Sequence, residues 1–422
     1  MASKGFVDTD YKPKKSELVC LFYLEPPAGK SLAWSADHVA GESSVGTWTD
    51  VSTARKALSG LAPHVFALDE KAKLIKVAYP LGLFEPGNIP QIMSSVAGNI
   101  FGMKAVENIR LLDIQFPRDV VRSFRGPRYG IAGIRKLLGV RRRPLVGTIV
   151  KPKLGLPYKE HAKVAYEAWV GGCDIVKDDE NLTSQTFNPF EKRIRETIRF
   201  RRKAEKETGE VKIYMPNVTA ETEEMLRRAR FVKKQGGRYV MVDIVTCGFA
   251  SLQTLADADL GLVIHAHRAM HAALTRNPRH GVSMLVLAKL TRLIGMDQLH
   301  IGTFDVGKME GGKGEIKEIA EAITLKAVRA SARRLAQDFL ALKPIFPVAS
   351  GGLHPGHVPE LIRRAGSDVI IQMGGGIHGH PEGTRAGARA ARQAVDAALE
   401  GTSLAEYALT HSELSRALAK WQ

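Results

Sequence analysis

Residues 171–181, GGCDIVKDDEN, bring a lysine and carboxylates together at the end of a short apolar run. Strand alternation puts Ile175, Lys177 and Asp179 on one face, and Glu180 falls where the strand gives out and its side chain can turn inward. Oxygen donors of this kind suit a hard cation such as Mg2+, which keeps positions open for water or substrate. A salt-bridged lysine followed by helix-capping Asp and Asn fits the fragment equally well. The amine of Lys177, when neutral, can also take up CO2 as a carbamate, which reverses its charge and adds a metal oxygen.

Similar groups end other apolar runs. Lys151 and Lys153 follow PLVGTIV, Asn217 ends VKIYMPN, and Asp243 lies within RYVMVDIV. His265 and His267 end LGLVIHAH, His300 sits in QLHIGT, Ser350 ends PIFPVAS, and three glycines follow SDVIIQM. With CDIVK these make eight runs, separated by helix-like stretches such as Tyr158–Val170, residues 220–235 and residues 316–341. Short apolar runs alternating with helices predict a parallel sheet with crossovers. Eight runs with polar C-terminal ends predict a (β/α)8 barrel, whose active site lies at that rim. A doubly wound sheet would not need eight decorated ends. Residues 18–116 mix strands such as LVCLFYLEP with the helical IPQIMSSVAGNIFG, and Pro117, Gly126 and Pro127 mark a linker. The expected organisation is an α+β N-terminal domain over residues 1–125 and a barrel with C-terminal helices over residues 126–422.

Ser350, Gly351 and Gly352 after the seventh run, and Gly374, Gly375 and Gly376 after the eighth, place bare N–H groups where barrels bind phosphate. One such triplet alone reads as a tight turn; two on consecutive strands point to phosphate. The pair His265 and His267 resembles the histidines of a zinc-dependent barrel hydrolase, although those enzymes carry it on the first strand and Arg268 beside it suits an anion better. His271 and His280 read as ordinary helix or loop residues. HIGTFDVGKMEGGKG, with Lys308 near its middle, reads as a lid that brings one cation over the site, or as a plain surface loop.

With 422 residues, 44% of them hydrophobic, the chain suits two domains. No apolar run reaches eighteen residues and the start of the chain lacks the apolar stretch of a signal peptide, so a soluble, cytoplasmic protein without membrane attachment is expected. Cys20, Cys173 and Cys247 are too scattered for a zinc ribbon or a disulfide framework. The net charge of +17 and the basic residues 193–206 raise nucleic acid as a partner. Glu196 and Glu205 within that stretch instead suggest a solvated amphipathic helix, no RNA-binding signature accompanies it, and a positive field also draws phosphorylated substrates.

Taken in order, GESSVGTWT, AGNIFGMK, VKPKLGL, GGCDIVKDDEN, HAHRAMHA, GTFDVGKMEG, VASGGLHPG and QMGGGIHGHP resemble the large subunit of ribulose-bisphosphate carboxylase, rubisco, over residues 18–421. HRAMHAALTRNPRHG and RLIGMDQLHIGT are most similar to the archaeal form III group. The resemblance implies Mg-dependent enolisation of ribulose bisphosphate and addition of CO2, or of O2, with two 3-phosphoglycerate as the carboxylation product. It implies that Lys177 is carbamylated, acts as base, and holds Mg2+ with Asp179 and Glu180. Lys151 would donate a proton late, Lys153 and His267 would assist proton transfers, and Lys308, positioned by Glu42, would stabilise the new carboxylate. Asn99 would contact substrate near the metal. One phosphate would meet Thr47, Trp48, Lys308, Gly352, Gly374 and Gly375; the other Arg268, His300 and Ser350. In the family Glu42, Thr47, Trp48 and Asn99 come from the neighbouring subunit, which implies a homodimer or an assembly of dimers, without a small subunit. Form III resemblance also points to AMP salvage as the pathway.

A rubisco-like enolase or isomerase of a sugar phosphate is the alternative, but such relatives commonly lose parts of the carboxylase set that are all present here. This sequence departs from the family at Phe304 and Asp305, where the lid is usually small, at Val45 for a usual threonine, and at Ile377 and His378 for a common Thr-Leu pair. The chain also stops soon after Trp421, short of the tail that some relatives fold over the lid. Lid closure and the choice between CO2 and O2 are what these departures bear on.

Overall fold

Short runs of β-branched and apolar residues that are buried on both faces are the pattern of a parallel sheet covered by helices. A computed structural model, described here for residues 5–46, 60–307 and 314–421, forms all eight such runs into strands. The chain divides into one unit of Met1–Gly126, Met270–Ile294 and Leu325–Leu342 and another of Pro127–Ala269, Gly295–Thr324 and Lys343–Gln422.

The second unit holds the barrel. Its strands in chain order are Leu145–Ile149, Ile175–Lys177, Ile213–Met215, Tyr239–Asp243, Val263–His267, Gln298–Gly302, Phe346–Ser350 and Ile370–Gln372. Each pairs in parallel with its sequence neighbour, the eighth pairs with the first, and a bridge between Asn217 and Met241 joins the third to the fourth and closes the ring. Leu145, Ile175, Ile213, Met241, Val263, Phe346 and Ile370 fill the core together with Ile134 and Leu138 from the helix Gly130–Leu138. At the start of the sixth strand the buried carboxylate of Asp297 accepts the backbone N–H groups of Tyr129, Gly130 and Ile264 at 2.7, 3.1 and 3.1 Å, tying that helix to the barrel.

The first unit is a five-stranded sheet in the order Gly281–Val282, Asn108–Gln115, Leu18–Glu25, Leu74–Tyr79, His64–Asp69, antiparallel except at its first edge. The helix Leu32–Glu42 starts where Ser31 accepts the Trp34 N–H. A fully buried ion pair, Lys289 with Asp113 at 2.6 Å, joins the helix Met284–Ile294 to the strand Asn108–Gln115.

Crossover helices form at Tyr158–Val170 and Thr222–Lys234, as the pattern predicts. Residues 316–341 do not form one helix. That helix is Glu315–Thr324, and an antiparallel pair, Ala327–Val328 with Gln337–Asp338, follows it. The backbone beyond Thr324 has better partners within the first unit: Arg292 takes the carbonyls of Leu325 and Leu342, Asp113 accepts from Leu335 N–H, and the Gln337 amide pairs with both backbone groups of Phe116. Long-range bonds here outweigh a helical pattern worth only tenths of a kcal/mol per residue. The basic stretch also needs correction. It lies in the helix Phe190–Thr208, but Arg193 and Arg201 are buried rather than solvated. Among the described residues no helix is long and apolar enough to cross a membrane.

Replacing Asp297 by Ala strands three buried N–H groups at once. Denaturant unfolding of Asp297→Ala is expected to show a loss of roughly 3 kcal/mol or more; an unchanged midpoint would mean that Asp297 does not hold the barrel base.

Candidate active site

Lys177 is the last residue of the second strand, and its side chain has no exposure to solvent. Its Nζ donates to the Asp178 carbonyl at 2.8 Å, touches Met241 Sδ at 3.1 Å, and lies 3.6 Å from Glu180 Oε2. Burial lowers its pKa, while Glu180, Asp179 and Asp243 pull the other way. The amine is thus held closer to its neutral, nucleophilic form than an exposed lysine.

Around it the charges alternate. Lys151 donates to Asp179 Oδ2 at 2.8 Å, and Lys153 lies 3.8 Å from Glu180 Oε1. His267 faces Asp243 through Nδ1 at 2.7 Å and Glu180 through Nε2 at 3.7 Å. Burial works against ionisation of Glu180, yet Lys177 and His267 hold its carboxyl at about 2. Strand alternation explains the convergence: Lys177 and Asp179 point inward, and the ends of the first, fourth and fifth strands supply Lys151, Asp243 and His267 at the same rim.

His300, on the sixth strand, stands edge-on to both His265 and His267 with ring centres 4.8 Å apart. Burial pushes His265 and His300 well below the usual histidine range, so both imidazoles are neutral. His265 Nδ1 is engaged by Gln298 Oε1 at 2.8 Å inside the barrel. Among the described residues no three His, Cys, Asp or Glu side chains gather to hold a metal by themselves. Burial lowers the Arg268 guanidinium to about 10, against the pull of Glu315.

The two glycine turns interlock. Gly351 and Gly352 take positive φ after the seventh strand, beyond Ser350, and a Cβ at Gly376 would strike the Leu353 carbonyl at 2.2 Å. A Cβ at Gly374 would come within 3.1 Å of Lys151 Cε, while one at Gly375 would meet open space. The short helix Gly375–His378 follows the eighth strand, and its end is tied down: His378 Nε2 meets Thr148 Oγ1 at 2.9 Å and its Nδ1 meets Thr384 Oγ1 at 3.0 Å.

In the first unit Asn99 donates to Glu42 Oε1 at 3.2 Å, which brings two expected site residues together. Thr47, Trp48 and Lys308 lie outside the described residues.

Some supporting residues had no role in the sequence reading. Asp243 noticeably orients His267. Asp178, the first acid of the triplet, turns away from Lys177 and is fully buried against Arg193 Nε at 3.1 Å and Tyr214 Oη at 2.7 Å. The signal was present in the alternation itself: Asp178, between Lys177 and Asp179, must face the other way, and a carboxylate buried there requires a partner.

Two family models match the chain: the ribulose bisphosphate carboxylase large chain catalytic domain over residues 130–421 and the N-terminal domain of the same large chain over residues 5–120. Proteins called ribulose bisphosphate carboxylase are similar over nearly the whole length, with 56% identity in Methanosarcina mazei, covering 99% of each chain, and 51% in Methanocaldococcus jannaschii, covering 99% of this chain and 100% of that one. Among solved structures, a dimeric archaeal rubisco from Hyperthermus butylicus superposes with a TM-score of 0.94 at 47% identity, covering 99% of this chain and 98% of that one. An octameric rubisco from Pyrococcus horikoshii gives 0.91 at 49%, covering 98% and 96%.

Removing the Asp178 carboxylate leaves Arg193 buried without its charge partner, so Asp178→Ala is expected to lose roughly 3–5 kcal/mol at neutral pH. Burial opposes ionisation of Asp178, but Arg193, His161 and Tyr214 depress it to about 2, against about 3.9 in an unfolded chain. Its contribution is therefore present above pH of about 4 and lost as pH falls from about 4 to about 2. Equilibrium unfolding across that range should show the gap between wild type and variant closing; a gap independent of pH would refute the assignment.

Proposed function

Because the chain belongs to the ribulose bisphosphate carboxylase large-chain family, we propose that it enolises ribulose bisphosphate and adds CO2 to give two 3-phosphoglycerate. The observation that carries this reading is the fully buried amine of Lys177, its pKa lowered by burial, beside the Glu180 carboxylate.

The donor set fits Mg2+ once a carbamate is present. Asp179 and Glu180 alone are too few, and a carbamate on Lys177 supplies a third oxygen in place of a cation that would repel the metal. When bound, the cation polarises the sugar carbonyl and lowers the cost of removing the neighbouring proton. His267 holds a proton on Nδ1 toward Asp243, a tautomer assigned from the 2.7 Å contact, and so presents Nε2 to accept or return one. Lys151, pinned by Asp179, is placed to donate a proton late, with Lys153 beside it. Arg268, His300 and Ser350 bind one phosphate, and the N–H groups of Gly352, Gly374 and Gly375 bind the other with Thr47, Trp48 and Lys308. Lys308 stabilises the new carboxylate, and Glu42 and Asn99 serve the site of a neighbouring copy.

A homodimer follows as the minimal active unit. The relatives named dimeric and octameric support such an assembly. A sugar-phosphate enolase would keep the base and phosphate sites yet has no use for the full set of Lys151, Lys177 and Lys308.

Purified protein with Mg2+, ribulose bisphosphate and labelled bicarbonate is expected to release labelled 3-phosphoglycerate. Enolisation without label would replace this reading by the enolase. Glu42→Ala and Lys177→Met should each be inactive alone, and co-assembly in equal amounts should restore about a quarter of wild-type activity through one intact site per mixed dimer. No restoration on verified mixing would show that the site is not shared.

A further inference from the structure

The second strand ends at Lys177, so Asp179 and Glu180 lie beyond its regular ladder and something else must fix their backbone. That task falls to the end of the third strand. Asn217, fully buried, gives its Nδ2 to the Glu180 carbonyl at 2.9 Å and reaches the Asp179 carbonyl at 3.4 Å. Its backbone N–H goes to Asp178 Oδ2 at 3.1 Å, and its Oδ1 is held by Thr219 N–H at 3.0 Å. The clamp is anchored in turn, because Asn217 is the bridging residue that closes the barrel onto Met241.

Behind it, Asp178 accepts from Arg193 and Tyr214, with His161 Nε2 also 3.1 Å away. Arg193 spends its remaining N–H groups on the carbonyls of Asn188 and Thr183 at 2.9 and 2.6 Å, which shapes the segment leaving the carboxylates. The two acids that face the rim are thus held from behind through their backbone carbonyls.

We propose that Asn217, backed by the Asp178–Arg193 pair, is a positioning residue that presets Asp179 and Glu180 for a divalent cation. The inference rests on the metal-site reading above and extends it to a residue without contact to metal or substrate. Loss of such outer hydrogen bonds typically costs 10-fold to 100-fold in metal affinity. A merely structural Asn217 would instead lower stability and every binding function together.

The test uses the full chain with CO2 present and Mn2+ as the probe, followed by electron paramagnetic resonance, alongside 13C NMR of the lysine carbamate, thermal melting, and affinity for inorganic phosphate. Asn217→Ala is expected to weaken Mn2+ binding roughly 10-fold to 100-fold, with phosphate affinity within twofold of wild type. A Mn2+ titration that overlays wild type, or an equal loss of phosphate affinity, would overturn the proposal. If Asn217→Ala does not fold, Tyr214→Phe removes one bond to Asp178 and should weaken Mn2+ several-fold; no change in that folded variant would also overturn it. Wild-type protein that shows neither carbamate nor CO2-dependent Mn2+ binding would remove the metal-site reading itself, an outcome distinct from a clamp that fails in a loaded enzyme.

Discussion

A lysine amine with no access to water is the constraint around which the barrel is arranged. Burying a full positive charge there would cost several kcal/mol unless it were paired, and the nearest carboxylate oxygen is 3.6 Å away, too far for a tight bond. Burial works toward the uncharged form, and the surrounding carboxylates work against it. Such a group can change its charge by chemistry as well as by protonation. The neighbouring lysines and His267 then prevent Asp179, Glu180 and Asp243 from repelling one another before any cation arrives.

The same logic separates the two sides of the rim. The acids lie at the ends of the second and fourth strands, while Arg268, His300 and the glycine turns occupy the fifth to eighth. Gly376 shows how tightly the anionic side is built, since no side chain there could avoid the Leu353 carbonyl.

Much of this was readable from sequence because parallel strands buried on both faces leave an apolar run, and the residue that ends the run is the one that faces the site. Lys151, Lys177, His267 and Ser350 could be named on that basis. The helix over residues 316–341 was misread because its backbone is satisfied by Arg292 and Asp113 and its Gln337 side chain by Phe116, partners that no local window contains. Arg193 looked like one more solvated charge for the same reason, since its partner Asp178 lies fifteen residues earlier in a different element. Asn217 was noticed as a strand ending, but its role required knowing which carbonyls lay beside its amide.

The first unit is assembled from three stretches, the last ending at Leu342. Its strand Asn108–Gln115 receives its outer neighbour only from Gly281–Val282, and Asp113 within it meets its counter-charge only at Lys289. During synthesis that strand emerges well before either partner, with an unpaired edge and an uncompensated acid in its middle. An early acid on an exposed edge keeps the nascent sheet from pairing with the wrong chain. The same acid becomes affordable in the finished core when Lys289 arrives, so the sheet is guarded while incomplete and sealed by the residue that completes it.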